Sequence, residues 1–407
     1  MNILVLTSIY PQYDDVSNSG VTPVVKYFVE EWIKLDNKVV VIHNLTTYPR
    51  ILYLLPRFVR NKINSRYGIV IPNKGQSKKI HISKEKCEIY RLPLKKIIPK
   101  SLFSIKKVKN QFDKIISILK SLEFNPDLIL GHWENPQILL IPMIKKIYPN
   151  AITSLVLHGI VYLSQEKYKN LLNEYLSTFD IIGARSEKIL LNLKNNYNIQ
   201  LPTFICYSGI NDKYFEETQN LEFYKIENSY LFVGRLIQRK NIDVPMRVLK
   251  RIYNHEKFEY NIIGIGSEMV YLRNLSKSLN ISENVIFYGY MSRNSILEFM
   301  KKIEVFIMIS NYETFGLVYL EAMSRGCIVI ASKEGGMDGI IINGYNGYLC
   351  KQGDEIELES IINKIRDMSL KKKHAMQQNA IKTAQRFKDS KVAKNYLKNV
   401  SKVNSIK

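Results

Sequence analysis

The chain has 407 residues, 46% hydrophobic and 24% charged, with a formal net charge of +22. That length exceeds what one hydrophobic core usually organises, and the composition is not that of a disordered chain, so two folded domains are expected. Four scattered cysteines, Cys87, Cys206, Cys327 and Cys350, without a Cys-x-x-Cys pair, suggest neither a disulfide framework nor a zinc site and fit a reducing, cytoplasmic compartment.

From its start, Met-Asn-Ile-Leu-Val-Leu-Thr-Ser-Ile-Tyr-Pro reads as a first buried strand and not as a signal peptide, because a cationic segment is missing and the apolar run stops at Pro11. The first half offers strands at Ile3–Thr7, Lys38–Ile42, Leu128–Gly131, Ile152–Leu157 and Ile181–Ala184. Helical patterns such as Val24–Lys34, Ile105–Leu122 and Tyr168–Leu176 lie between them. Residues 51 to 110 hold 16 Lys and Arg against only Glu85 and Glu88, which makes this segment the basic surface. Apolar residues interleave with the cations there, in Ile51–Arg60 and Leu102–Lys109. An anionic membrane surface suits such a pattern, and so does an ordinary solvated basic face in a Lys-rich protein. Nucleic acid is disfavoured, since no helix-turn-helix, RNP-like or zinc-finger pattern accompanies the charge. No apolar run reaches the roughly 18 residues of a membrane span, so any membrane contact is expected to be peripheral.

Periodicity lapses over Pro202–Asn228 and then restarts. Strands are expected at Ser229–Gly234, Glu259–Gly264, Asn284–Tyr288, Glu304–Ile309 and Cys327–Ala331, with helices at Val244–Tyr253, Glu268–Leu279, Ser292–Lys302 and Leu317–Ser324. Repeated βα alternation in each half predicts two doubly wound parallel sheets, Rossmann-like, facing each other across a cleft. The expected division is 1–205, 206–385 and a C-terminal helix, 386–407, that packs back on the first domain. Gly264-Ile265-Gly266 begins a dinucleotide fingerprint that Met269 leaves incomplete.

In such folds ligands sit beyond the carboxyl ends of the strands. Gly234, Arg235 and Lys240 follow one strand end, where a bidentate guanidinium and a point-charge ammonium suit a diphosphate. Glu313 and Glu321 have seven residues between them, Glu313 in a loop with Gly316 and Glu321 about two turns into the following helix, which is expected to be amphipathic. A helix N-terminus is an anion site, and both carboxylates can face one ligand anchored by its phosphate. Two solvated acids would look the same by spacing alone, but Glu321 lies among Leu320, Ala322 and Met323, where an unpaired charge is costly. His158 ends an apolar strand and is either a structural residue or a site group; His132 and Glu134 carry the same two readings.

Taken in order, Gly234-Arg235-Leu236 with Lys240-Asn241, Ile263–Gly266, Phe287–Tyr290, the Glu313/Glu321 segment, Ala331–Gly336 and Asn343–Leu349 resemble the nucleotide-sugar domain of the retaining glycosyltransferases of family 4, of GT-B architecture. The first half is similar more loosely, through Ser19-Gly20, His132-Trp133, Leu157-His158-Gly159, Ser186 and Tyr207–Asn211. The resemblance implies that Arg235 and Lys240 bind the donor diphosphate and stabilise its departing charge without a metal or other cofactor. It implies that Glu321 holds the ribose and Glu313 the transferred sugar. Thr314, Phe315, Gly316 and Leu317 would lie near sugar and phosphate, Tyr288, Gly289 and Tyr290 by the base, Gly20 by the diphosphate, and His158 would orient the donor sugar. Departures are Gly335-Gly336-Met337-Asp338-Gly339 where the family has Gly-Gly-x-Pro-Glu, Cys327-Ile328 where it often has a proline, and a single Gly20 where many members have a pair.

The expected activity is metal-independent transfer, with retention, from a nucleoside-diphosphate sugar to a polysaccharide or lipid-linked saccharide in cell-surface or capsular glycan synthesis. It would take place at the inner face of the plasma membrane if residues 51–110 bind it. A nucleotide-sugar epimerase of the same architecture and a non-catalytic nucleotide-sugar binder remain the alternatives.

Overall fold

The apolar runs do become strands, and the chain divides into two compact units: Met1–Arg185 with Ile189–Cys206 and Ala393–Lys407, and Ser186–Lys188 with Tyr207–Val392. The computed structural model describes residues 1–11, 22–49, 51–56, 59–60, 80–97, 101–159, 169–197, 199–220, 225–254, 256–311, 313 and 315–405. Each unit is built on its own mainly parallel sheet with helical crossovers, the two-domain α/β organisation expected from the βα alternation.

In the first unit β1 (Asn2–Thr7), β2 (Lys38–Thr47), β3 (Ile80–Lys84), β4 (Cys87–Lys95), β5 (Leu128–His132), β6 (Ile152–Leu157), β7 (Ile181–Ala184) and β8 (Thr203–Ile205) form one sheet in the order β3-β4-β2-β1-β5-β6-β7-β8. All neighbours pair in parallel except β3, which closes an antiparallel hairpin on β4. Burial on both faces explains the near-continuous apolar runs. β2 runs five residues beyond the expected Ile42, because His43–Thr47 pair with Arg91–Lys95 although their side chains break the apolar pattern.

The basic segment is therefore not one surface. Residues 80–95 are the hairpin β3–β4, and Leu92, Leu94, Phe103 and Val108 lie in the core, so part of the apolar set proposed for a membrane is packing. Ile51, Leu54, Ile97 and Ile105 do stand exposed; much of the remainder, 57–58, 61–79 and 98–100, lies outside the described residues. Among the described residues no helix is long and apolar enough to cross a membrane.

Residues 393–407 complete this unit. The indole of Trp32, wholly buried in helix Val24–Lys34, donates to the Ala393 carbonyl at 3.1 Å. The Tyr396 ring stands edge-on to Phe28 and Trp32 and lies against Phe204.

In the second unit β9 (Ile226–Val233), β10 (Glu259–Ile263), β11 (Val285–Gly289), β12 (Ile303–Met308), β13 (Ile328–Ser332) and β14 (Tyr348–Cys350) pair in parallel in the order β11-β10-β9-β12-β13-β14. The order reverses between β9 and β12, so loops leaving those two strands diverge and open a crevice at their carboxyl ends. The incomplete glycine fingerprint has a packing cause. A Cβ on Gly264 (φ +144°) would sit 1.8 Å from the Gly234 carbonyl oxygen, and one on Gly266 2.1 Å from that of Leu236. Backbone bonds from Gly234 N to Ile263 O and from Leu236 N to Ile265 O hold these two loops together. The glycines permit main-chain contact between neighbouring strand ends.

Candidate functional site

The β9 and β12 ends carry the candidate site of the second unit. After Val233 the chain runs extended through Gly234 and Arg235 and makes a single 3-10 turn at Gln238–Lys240, with Asn241 in a left-handed conformation. The Asn241 amide explains the turn's position: its nitrogen donates to the Ile309 carbonyl at 2.8 Å and to Asn311 Oδ1 at 3.2 Å, pinning this loop to the one after β12. Arg235 stays exposed. Lys240 is only 8% exposed, its Nζ 2.5 Å from Glu313 Oε2 and 3.4 Å from Met308 Sδ. Burial pulls the Lys240 ammonium below its ordinary pKa, and the Glu313 carboxylate opposes that effect without cancelling it. Arg239 Nη1 lies 3.6 Å from the same oxygen.

Glu313 leads to Gly316, whose φ of +77° starts the helix Leu317–Ser324. The helix is not amphipathic as expected: Tyr319 to Ser324 are all buried, which makes it a core helix. Phe315 is buried beside Tyr207 and Phe387, so it offers a ligand its main chain and not its ring. The first N–H groups of any helix lack intrahelical acceptors, and here they follow directly on Glu313. Glu321, 6% exposed, is held by Arg293 of helix Arg293–Met300, with Nε to Oε1 at 2.6 Å. Arg293 was not singled out from the sequence; it is a cation one helix away whose spacing to Glu321 carries no periodic signal. Tyr288 and Tyr290 bracket Gly289 (φ +68°) and are 39% and 55% exposed. The departing segment Gly335–Gly339 is fastened by its shorter acid, Asp338 Oδ2 accepting from Glu334 N at 2.8 Å, while Gly336 N donates to the Glu313 carbonyl. Thr314 and Gly20 lie outside the described residues.

In the first unit His158 follows β6 and His132 ends β5, next to the strand reversal between β1 and β5. His132 Nδ1 and His158 Nε2 are 3.1 Å apart, and Trp133 (φ +62°) stacks on His158 at 3.9 Å between centroids. Burial, with the Arg185 charge nearby, pushes His132 down to about 3 and His158 well below its usual value, so both are neutral. Glu134, 6% exposed, is pushed up to about 7 by burial, against hydrogen bonds from the backbone of Glu134 itself, His158 and Gly159, and its Oε1 has no partner among the described residues. Among the described residues no group of three or more His, Cys, Asp or Glu is placed to hold a metal ion, and the four cysteines are free and buried.

The family described as glycosyl transferases group 1 matches residues 214–383, most of the second unit. An uncharacterised glycosyltransferase of Methanocaldococcus jannaschii is 31% identical over 189 residues, covering 43% of this chain and 48% of that protein. The N-acetyl-alpha-D-glucosaminyl L-malate synthase of Bacillus anthracis is 26% identical over 244 residues, 56% of this chain and 62% of its own. The chain thus spans about half to two thirds of the length of these curated relatives. Among solved structures, sucrose-phosphate synthase from Thermosynechococcus elongatus superposes with a TM-score of 0.69 at 17% identity, covering 100% of both chains. Anabaena HepE in complex with UDP gives 0.68 at 18% identity, over 98% of this chain and 100% of its own. At such identities the likeness establishes the fold. Residues 214–383 of the second unit thus match the glycosyl transferases group 1 family, in a chain with the two-domain GT-B fold.

Proposed function

We propose that the protein transfers a sugar, with retention at the anomeric carbon, from a nucleoside-diphosphate sugar to a saccharide or lipid-linked saccharide. The observation that carries this reading is the pairing of Lys240 with Glu313 beside the Gly316 helix start at the β9/β12 reversal, with Arg235 exposed on the loop that follows β9. A diphosphate there would meet two cations and helix N–H groups, a preorganised field for the charge that develops as the glycosidic bond breaks. Those cations supply the stabilisation that a divalent metal gives in other sites, and we propose that none is needed. Lys240 is already desolvated, and the diphosphate would share it with Glu313, whose second oxygen then serves a sugar hydroxyl. Glu321, oriented by Arg293, would accept from the ribose, with Tyr288, Gly289 and Tyr290 beside the base. In the first unit His158, neutral and half-buried, would orient a saccharide hydroxyl and not abstract a proton.

Glu313 holds its carboxylate against Lys240, and a group so engaged is a poor nucleophile. This supports front-face departure and attack through an oxocarbenium-like state over a double displacement. Similarity to the N-acetyl-alpha-D-glucosaminyl L-malate synthase favours transfer over epimerisation. Exposed Ile51, Leu54, Ile97 and Ile105 among lysines suit contact with an anionic membrane carrying the acceptor; co-sedimentation with anionic vesicles should weaken as salt rises, and no binding at low salt would remove that part.

A thermal-shift screen against UDP-, GDP-, ADP- and dTDP-sugars tests the donor site. One class should raise the melting temperature of the protein and not of Lys240→Ala. Equal shifts in both proteins, or none with any donor, would overturn the assignment.

A further inference from the structure

A run of buried polar groups in the first unit ends at His158 and begins on the C-terminal helix Asp389–Ser401. Tyr396, 2% exposed, has its hydroxyl 3.4 Å from His132 Nε2, and His132 Nδ1 is 3.1 Å from His158 Nε2. The rings are fixed by packing: Phe28 stacks on His132, Trp32 and Phe204 flank Tyr396, and Trp133 covers His158. Ser154 Oγ, fully buried, lies against the phenol and has no other hydrogen-bond partner among the described residues.

A neutral imidazole has one donor and one acceptor nitrogen, so the run has two possible directions. If protons point from His158 toward Tyr396, the phenol must donate to Ser154, and the Ser154 hydroxyl proton is left unpaired in the core. An unmade donor in the core is costly. If protons point the other way, Ser154 donates to Tyr396, Tyr396 to His132 and His132 to His158. Every buried donor is then used, and the one left over is Nδ1–H of His158, whose residue is half-buried and not fully enclosed. Protonating His132 would make both its nitrogens donors, so no single direction could run through it, and the neighbouring Arg185 charge opposes protonation of either ring.

We propose that Tyr396 is a positioning residue: its hydroxyl, acting through His132, holds His158 in the tautomer that presents Nδ1–H, a hydrogen-bond donor and not a base. That the recipient is a sugar oxygen rests on the function proposed above; the relay does not. The tautomer also explains why His158 can orient a hydroxyl while taking no part in proton removal.

The test is long-range 1H–15N spectroscopy of ring-15N-histidine protein, with His132→Gln and His158→Gln used to assign the signals. Both rings should carry the proton on Nδ1 in the native chain. In Tyr396→Phe, which keeps the ring packing, His132 should shift to a mixture of tautomers and His158 should follow. Tyr396→Trp, lacking the hydroxyl, should not restore them. A native His158 protonated on Nε2, or histidine signals unchanged in Tyr396→Phe, would overturn the proposal. Because no donor is added, the result stands apart from whether any nucleotide sugar binds.

Discussion

Replacing Lys240 by Met keeps most of the buried aliphatic stem and removes the charge. Glu313, with 15% of its side chain accessible, then loses a partner at 2.5 Å and retains Arg239 at 3.6 Å. Breaking a buried pair costs about 3–5 kcal/mol; the residual access of Glu313 and the half-exposed Arg239 bring the expected loss to about 2–3 kcal/mol. For a unit of this size that lowers the melting temperature by roughly 5–10 °C. Adding Glu313→Gln removes the stranded charge and should recover most of the stability. Turnover should not follow. Loss of one preorganised donor at the departing diphosphate costs about 100- to 1,000-fold in kcat. The double variant, which also loses the Glu313 contact to the sugar, should be no faster than that while recovering most of its stability. Calorimetry and steady-state kinetics on the two single variants and the double variant form a cycle that separates the two roles. A double variant with native turnover would refute the diphosphate role, and a Lys240→Met protein as stable as the native chain would refute the buried pair.

Three further outcomes are expected. Glu134 titrates at about 7 in the fold against an ordinary 4.5, so between those values the folded state holds the extra proton and stability falls as pH rises, by about 3 kcal/mol in all. The melting temperature of Glu134→Gln should lack that decline, and parallel pH curves for the two proteins would disprove the burial argument. If Glu321 holds ribose, calorimetric titration should show the native protein binding a ribonucleoside diphosphate more tightly than its 2′-deoxy form. Glu321→Gln should bind the ribonucleotide about tenfold more weakly, a charged hydrogen bond contributing about 1.5–3 kcal/mol, and lose the discrimination; unchanged binding counts against the role. Gly264→Ala forces a Cβ onto the Gly234 carbonyl and should cost about 3 kcal/mol by denaturant unfolding, the upper end for overpacking.

Strand existence was legible because strands buried on both faces read as apolar runs, and β1, β6 and β12 fall where those runs do. β3, β4, β8 and β14 were not. The alternation of Ile80–Lys84 is disguised by lysines on an edge, and β14 is three residues long. The pairing of Lys240 with Glu313 was hidden for a different reason, since 73 residues separate them and only the β9/β12 adjacency brings them together. Glu321 was marked by its apolar neighbours, whereas its partner Arg293 sits among ordinary polar helix residues and had nothing to distinguish it. Trp133 was readable as a neighbour of His132, yet its ring stacks on His158 because a positive φ turns the chain there.

The route of the chain sets an order of assembly. Trp32 and His132 are covered by Ala393 and Tyr396, which leave the ribosome only after all of residues 207–392 have been made. Until then the first unit carries an unsealed aromatic wall, and a fragment ending near residue 206 would keep that wall open. Such a fragment should be sticky and should bind a synthetic peptide of residues 389–405 in trans. Closing the first unit therefore waits for synthesis of the whole second unit, and the histidine beside that wall is set in place no earlier.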